Sequence, residues 1–174
     1  GYLRIASDEH PLAIQIFGGD PATMAEAAQM VEAAGADLVD INFGCPVKKV
    51  TKTGAGATCL GEPDRAIAIV RAVAEAVSVP VSVKMRRGLE NASRACLELG
   101  PRLVEAGAAT LTLHPRSAKQ MYTGQADHSL TAELVQRVAG KRESGSWDTV
   151  KWLISKADAH VEGGKLVPNT EEVR

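Results

Sequence analysis

Four short apolar runs, each followed by a stretch with helical spacing, constrain what this chain can become more than any other feature. The runs are residues 12–17 (LAIQIF), 38–43 (LVDINF), 80–85 (PVSVKM) and 110–113 (TLTL). Apolar runs of that length bounded by turn residues read as buried strands. Residues 21–34, 63–77, 91–106 and 128–139 instead repeat their apolar positions with the period of a helix. Pro21 and Pro63 fall in the first turns of two of these helices, where the missing N–H costs little, and Gly35 and Gly107 suit C-terminal caps. Strand then helix, four times over, predicts parallel strands joined by crossover helices. An internal repeat supports this: EAAGADLVDIN, ending at Asn42, returns as VEAGAATLTLH, ending at His114. The two capping glycines lie 72 residues apart with one unit between them. Each unit therefore takes about 36 residues, a grammar shared by doubly wound sheets and (β/α) barrels.

The pattern stops near residue 140. Residues 141–146 (KRESGS) read as a linker, 147–160 as one amphipathic helix, and the remainder as a polar tail without a further strand. Two regions are expected: a barrel-like domain over 1–140 and a linker and tail over 141–174. A complete eight-unit barrel takes about 250 residues, so the first region amounts to about half of one. With 45% hydrophobic residues, 24% charged residues and a formal charge of −1, the composition is that of a folded chain rather than a disordered one. No apolar run approaches the ~18 residues of a membrane span and no secretory leader is evident, so a cytoplasmic protein without membrane contact is expected. The three cysteines, an odd number without a C-x-x-C pair, argue against a disulfide framework or structural zinc, and no metal site is expected.

Polar residues at the strand ends carry the functional signal. Gln15 lies within the first run, and Asn42, Lys84 and His114 lie at the C-terminal ends of the other three. In parallel α/β folds that edge holds the ligand, because loops and helix N-termini converge there. Cys45 follows Asn42 directly, bracketed by Gly44 and Pro46 in a stiff turn that holds its thiol at the edge. An ordinary thiol is mostly protonated at neutral pH, so a cysteine here is equipped to donate a proton as well as to attack. Cys59 and Cys96 sit among Ala and Leu and read as small buried hydrophobes. Residues 1–46 hold one basic residue, Arg4, against seven acidic ones, yet Lys48, Lys49 and Lys52 come directly after Cys45. Arg86, Arg87, Arg116 and Lys119 follow the third and fourth runs. So many cations on one predicted edge point to a polyanionic partner despite the neutral total. Gly54-Ala-Gly56 is a weak phosphate-loop candidate that identifies no nucleotide by itself.

Those residues resemble a known family. Gln15-Ile-Phe-Gly-Gly-Asp-Pro21, Asp40-Ile-Asn-Phe-Gly-Cys-Pro-Val-Lys-Lys-Val50, Pro80-Val-Ser-Val-Lys-Met-Arg86, Leu111-Thr-Leu-His-Pro-Arg-Ser117 and Met121-Tyr-Thr-Gly-Gln-Ala-Asp127 are similar to successive motifs of the tRNA-dihydrouridine synthases. The resemblance covers about residues 11–139. It implies an α/β fold, a partial (β/α)8 TIM barrel of about four βα units, binding FMN. It also implies that NADPH reduces FMN, that flavin N5 passes a hydride to C6 of a uracil in tRNA, and that a cysteine, here Cys45, protonates C5. Gln15, Lys84 and His114 match flavin-holding positions. Asn42 matches a candidate for placing the uracil or Cys45, and Lys48, Lys49, Arg86 and Arg116 are expected on the RNA. To reach the ring the uridine must leave its stack.

The chain departs from the family pattern where His114-Pro-Arg-Ser117 stands for the usual H-G-R-T. No match is found for the first two barrel strands, nor for the last two, whose glycine-rich loops hold the FMN phosphate. Weak FMN binding and little activity are therefore expected of these 174 residues alone. Two other readings compete: another FMN barrel such as a dihydroorotate dehydrogenase, in which N-x-x-C-P also follows a strand, and a non-catalytic half-barrel that pairs through its open edges. Lys48-Lys49 and the Tyr122-Thr-Gly-Gln-Ala-Asp127 element weigh against the first.

Overall fold

The structure is a computed structural model that describes residue 5, residues 8–139 and the backbone of 159–162 and 165–168. The first unit holds four parallel strands, β1 (Ala13–Ile16), β2 (Leu38–Phe43), β3 (Val81–Arg86) and β4 (Thr110–His114), in the order β1-β2-β3-β4. Helices α1 (Pro21–Ala33), α3 (Pro63–Ala76), α4 (Ala95–Glu105) and α5 (Ser129–Ala139) follow them in turn, and a short α2 (Lys48–Thr51) precedes a 3-10 turn over Gly56–Gly61. This is the α/β architecture of a partial TIM barrel, with four strands in an open sheet.

The repeat seen in the sequence has a structural cause. Asp20 caps α1 by accepting from the Thr23 N–H at 2.8 Å, with Pro21 at the first helical position. At the far end of α1, Gly35 (φ +101°) sends its N–H to Glu32 O and Ala36 sends its N–H to Val31 O. Gly107 (φ +113°) repeats this at the end of α4, with its N–H on Val104 O and that of Ala108 on Leu103 O. Both are left-handed glycine caps that release the chain straight into a strand. Pro101 inside α4 removes the N–H that would reach the Leu97 carbonyl, and Arg137 Nη1 of α5 lies 3.5 Å from that oxygen instead.

Register explains where the core sits. Gln15 is opposite Asp40, Asp40 opposite Ser82, Asn42 opposite Lys84 and Arg86 opposite His114. Partners in a parallel sheet share a face, so one face carries Ile14, Val39, Ile41, Phe43, Val83, Met85 and Leu111, and the other Gln15, Asp40, Asn42, Ser82, Lys84, Thr112 and His114. The apolar face packs under Met24, Ala28, Ile69, Val73, Leu103, Leu130 and Leu134 of the helices. The runs expected to be buried on both faces are thus apolar on one face only.

The second unit, 142–174, is described by two strands alone: β5 (Ala159–Glu162) and β6 (Lys165–Pro168) pair antiparallel. This corrects the expectation of a strandless tail, and residues 159 and 160 are strand rather than the end of a helix. The reason is local: Gly163-Gly164 separate the two segments in sequence, a dipeptide favoured between hairpin strands. Residues 147–158 of the expected helix lie outside the described residues.

Candidate active site

The polar face is wired together by side chains. Asp40 accepts from Gln15 Nε2 on one oxygen and from Ser82 Oγ, at 2.5 Å, on the other. Gln15 Oε1 accepts from Asn42 Nδ2 at 2.7 Å, and Asn42 Oδ1 accepts from the N–H groups of Gly44 and Cys45, both at 2.9 Å. The turn bearing Cys45 is therefore held by Asn42, the penultimate residue of β2. Its thiol is free and half-buried, whereas Cys59 and Cys96 are fully buried, as their apolar surroundings predict. Burial pushes both of those thiols up to about 11.

Gly54 and Gly56 shape the same turn. Both adopt positive φ, and a Cβ on Gly56 would meet the Cys45 carbonyl at 2.6 Å. The Cys45 carbonyl accepts from Ala57 N–H at 2.9 Å, and Gly54 O accepts from Arg65 Nη2 at 2.9 Å. The glycines of this weak phosphate-loop candidate permit close approach of backbone to backbone around Cys45.

Lys84 and His114 stand on the polar face beyond this network. Among the described residues Lys84 has no hydrogen-bond or ion-pair partner. The His114 imidazole is pushed down to about 4, first by desolvation and then by Arg86, Lys84 and Arg116, so it is neutral near pH 7. Arg116 Nη1 lies 3.5 Å from His114 Nε2, and because a guanidinium only donates, a hydrogen bond there requires the imidazole proton on Nδ1. The Tyr122 ring centroid lies 6.3 Å from that of His114.

The cations expected at the edge divide into two groups. Arg86, read as an RNA contact, is 3% exposed. Its Nε donates to Gly44 O at 2.8 Å and its Nη1 to Ser117 O and Met121 O at 3.1 and 2.7 Å, with Tyr122 5.5 Å away. It clamps the Cys45 turn to the loop after β4, and a buried guanidinium held by three carbonyls is not a surface contact. Arg116 donates to Gly124 O through Nε and Nη2 at 3.3 and 3.1 Å. Arg87 Nη1 is 3.6 Å from Asp127, and Lys119 pairs with Glu90 at 2.7 Å. Lys48, Lys49 and Lys52 are exposed on and just after α2, and among the described residues they have no ion-pair partner. Pro115, where the chain departs from the usual turn, offers no N–H, and its carbonyl accepts from Asp127 N–H at 3.2 Å.

Asp40 and Ser82 were not singled out by sequence, and both belong to the network. The signal that marks them is strict period two: Asp40 precedes Asn42 and Ser82 precedes Lys84 by two residues, one full period of the pleat. The donor set on this face fits a flavin. It offers an amide with one N–H uncommitted, an ammonium without a carboxylate and a neutral imidazole, and an electron-rich ring that gains negative charge is stabilised by such groups. Among the described residues no cluster of His, Cys, Asp or Glu is arranged to hold a metal ion, and no helix is long and apolar enough to cross a membrane.

The family model described as dihydrouridine synthase matches residues 2–139. A probable tRNA-dihydrouridine synthase of Treponema pallidum is 47% identical over 144 residues, covering 79% of this chain and 42% of that protein. A probable tRNA-dihydrouridine synthase 1 of Synechocystis is 46% identical over 134 residues, with 77% and 38% covered. For tRNA-dihydrouridine synthase B of Pseudomonas aeruginosa the identity is 39% over 139 residues, with 79% and 42% covered. The chain thus spans about two fifths of the length of these relatives.

Proposed function

The chain belongs to the dihydrouridine synthase family, and on that premise we propose that it supplies the proton-donating and flavin-facing part of a tRNA-dihydrouridine synthase. The observation that carries the reading is the turn after β2, where Asn42, in register with Lys84, fixes the backbone of a half-buried, free Cys45. Gln15, Lys84 and His114 would hold FMN. When bound, FMN supplies the reducing equivalents, drawn from NADPH, that saturate the C5=C6 bond of a tRNA uridine.

The chain's own residues do the rest. Cys45 Sγ holds the proton destined for C5. Asn42 keeps that thiol in one place, and Lys84 presents positive charge where the reduced ring carries negative charge. His114 is neutral, so it can offer its Nδ1 proton without adding a second cation. The exposed amines of Lys48, Lys49 and Lys52 suit the phosphates of an RNA whose uridine has left its stack, with Arg116 at the rim. A tRNA substrate places this work in the cytoplasm.

A chimera tests the reading: residues 2–139 replace the matched stretch of the Treponema relative, and dihydrouridine in tRNA is measured with FMN and NADPH. Dihydrouridine is expected from the chimera. Cys45→Ala in the chimera should lower the yield by about 10³-fold, within the range lost with a general acid, while flavin reduction by NADPH continues. Equal loss of both half-reactions would remove Cys45 from the role. The 174-residue chain alone is expected to bind FMN weakly, and absorbance near about 450 nm reports bound flavin directly.

A further inference from the structure

We propose that Asp40 is a positioning residue for Cys45, acting through the side-chain amides of Gln15 and Asn42. Five residues from β1, β2 and the turn after β2 form one directed series. Asp40 accepts from Gln15 Nε2, Gln15 Oε1 accepts from Asn42 Nδ2, and Asn42 Oδ1 accepts from Gly44 N–H and Cys45 N–H. Each end has a polarity that cannot be reversed. A carboxylate engaged on both oxygens by donors, here Gln15 and Ser82, only accepts, and a backbone N–H only donates. Between these ends two amides have two orientations each, and one combination satisfies every contact. Turning Gln15 over would set its oxygen against the Asp40 carboxylate. Turning Asn42 over would set its NH2 against the two backbone N–H groups of the Cys45 turn.

Asp40 therefore holds Gln15 in the orientation that gives the Asn42 NH2 its acceptor while Asn42 Oδ1 faces the Cys45 turn, although Asp40 and Cys45 are five positions apart. Ser82, 2% exposed, fixes the second carboxylate oxygen. The effect on catalysis rests on the reading of Cys45 as proton donor, but the effect on the turn does not. A turn whose N–H groups lose their acceptor opens more often, and a half-buried thiol is then more accessible.

Alkylation of Cys45 by iodoacetamide in the full chain, followed by peptide mass spectrometry, measures this without cofactor or RNA. Cys59 and Cys96 are buried with thiols pushed up to about 11, so Cys45 reacts selectively under native conditions. Gln15→Glu, which sets one carboxylate against another, should raise the Cys45 alkylation rate about threefold or more. Adding Asp40→Asn should bring the rate back to within about twofold of the parent, because the introduced amide donates to the introduced carboxylate, accepts from Ser82 on its oxygen, and leaves the second carboxylate oxygen to accept from Asn42. A loss of packing has no reason to be repaired by that exchange. An unchanged rate in a folded Gln15→Glu variant, or no restoration in the exchanged pair, overturns the proposal. If circular dichroism shows Gln15→Glu unfolded, the exchanged pair decides: a parent-like rate supports the series and a raised rate overturns it. Failure here leaves the proton-donor role standing, whereas failure of Cys45→Ala to lower dihydrouridine yield leaves the series standing.

Discussion

Val39, Ile41, Phe43, Val83 and Met85 turn to one side of the sheet and lose all exposure beneath the helices. Asp40, Asn42, Ser82 and Lys84, one residue out of step on the same two strands, make the other side. The first set lies in the apolar core, so its contribution is burial. Members of the second set meet donors and acceptors in a fixed direction, so their contribution is geometry around Cys45. One step of the pleat separates what holds the fold from what the fold presents. The largest effect should come from the first side. Phe43→Ala removes the largest fully buried side chain among the described residues and should cost about 4 kcal/mol in urea denaturation. A loss below about 1 kcal/mol would mean that the helices collapse onto the gap and that the apolar face is not tightly packed.

The division between the faces breaks at Arg86. It aligns with His114 on the polar face, yet it is 3% exposed and its guanidinium serves Gly44 O, Ser117 O and Met121 O. Arg86→Met keeps much of the stem and leaves those carbonyls without their donor, which should cost about 3 kcal/mol. Arg86→Lys should recover little, because a single ammonium cannot reach three carbonyls arranged around a planar fork. Full stability of Arg86→Lys would show that charge alone, not the fork, joins the two loops.

Much of this arrangement can be read from the residues, for identifiable reasons. The strands and the caps at Gly35 and Gly107 are local: apolar runs, a proline at a helix start and a glycine at its end act within a few positions. The edge bearing Asn42, Cys45, Lys84 and His114 follows from strand direction alone. What escaped depends on contacts between segments distant in sequence. Arg86 looks like any cation after a strand until Gly44 and Met121 close over it. The four-residue α2 is too short to show a period. The close approach of Gly56 to the Cys45 carbonyl leaves no mark in the Gly54-Ala-Gly56 stretch itself. Asp40 and Ser82 were within reach, since period two assigns each to the face of its neighbour, but the runs containing them read as uniformly buried. The β5–β6 pair is two four-residue segments, and the polar stretch around them masked a hairpin that Gly163-Gly164 announces.

The smallest effect probes whether the polar face acts as one electrostatic unit. His114 is pushed down from 6.5 to about 4, by desolvation first and then by the fields of Arg86, Lys84 and Arg116. An unfolded histidine takes up a proton near its ordinary value while the folded one refuses it, so between about 6.5 and about 4 the unfolded chain binds more protons. The stability contributed at this site is therefore complete above about 6.5 and falls as the pH drops towards about 4. His114→Gln should flatten that part of the stability curve relative to the parent, and subtracting the two curves isolates the contribution of His114. Lys84→Met takes away one of the three cations without removing a hydrogen bond, so stability near pH 7.5 should change by no more than about 0.5 kcal/mol. The His114 midpoint, followed by NMR, should nevertheless move up towards its ordinary value, and the acid-side fall in stability should begin at the same pH but end sooner. An unmoved midpoint would mean that solvent screens the ammonium from the imidazole. Lys84 and His114 would then be neighbours by register alone, and a flavin held between them would meet two separate groups rather than one positive field.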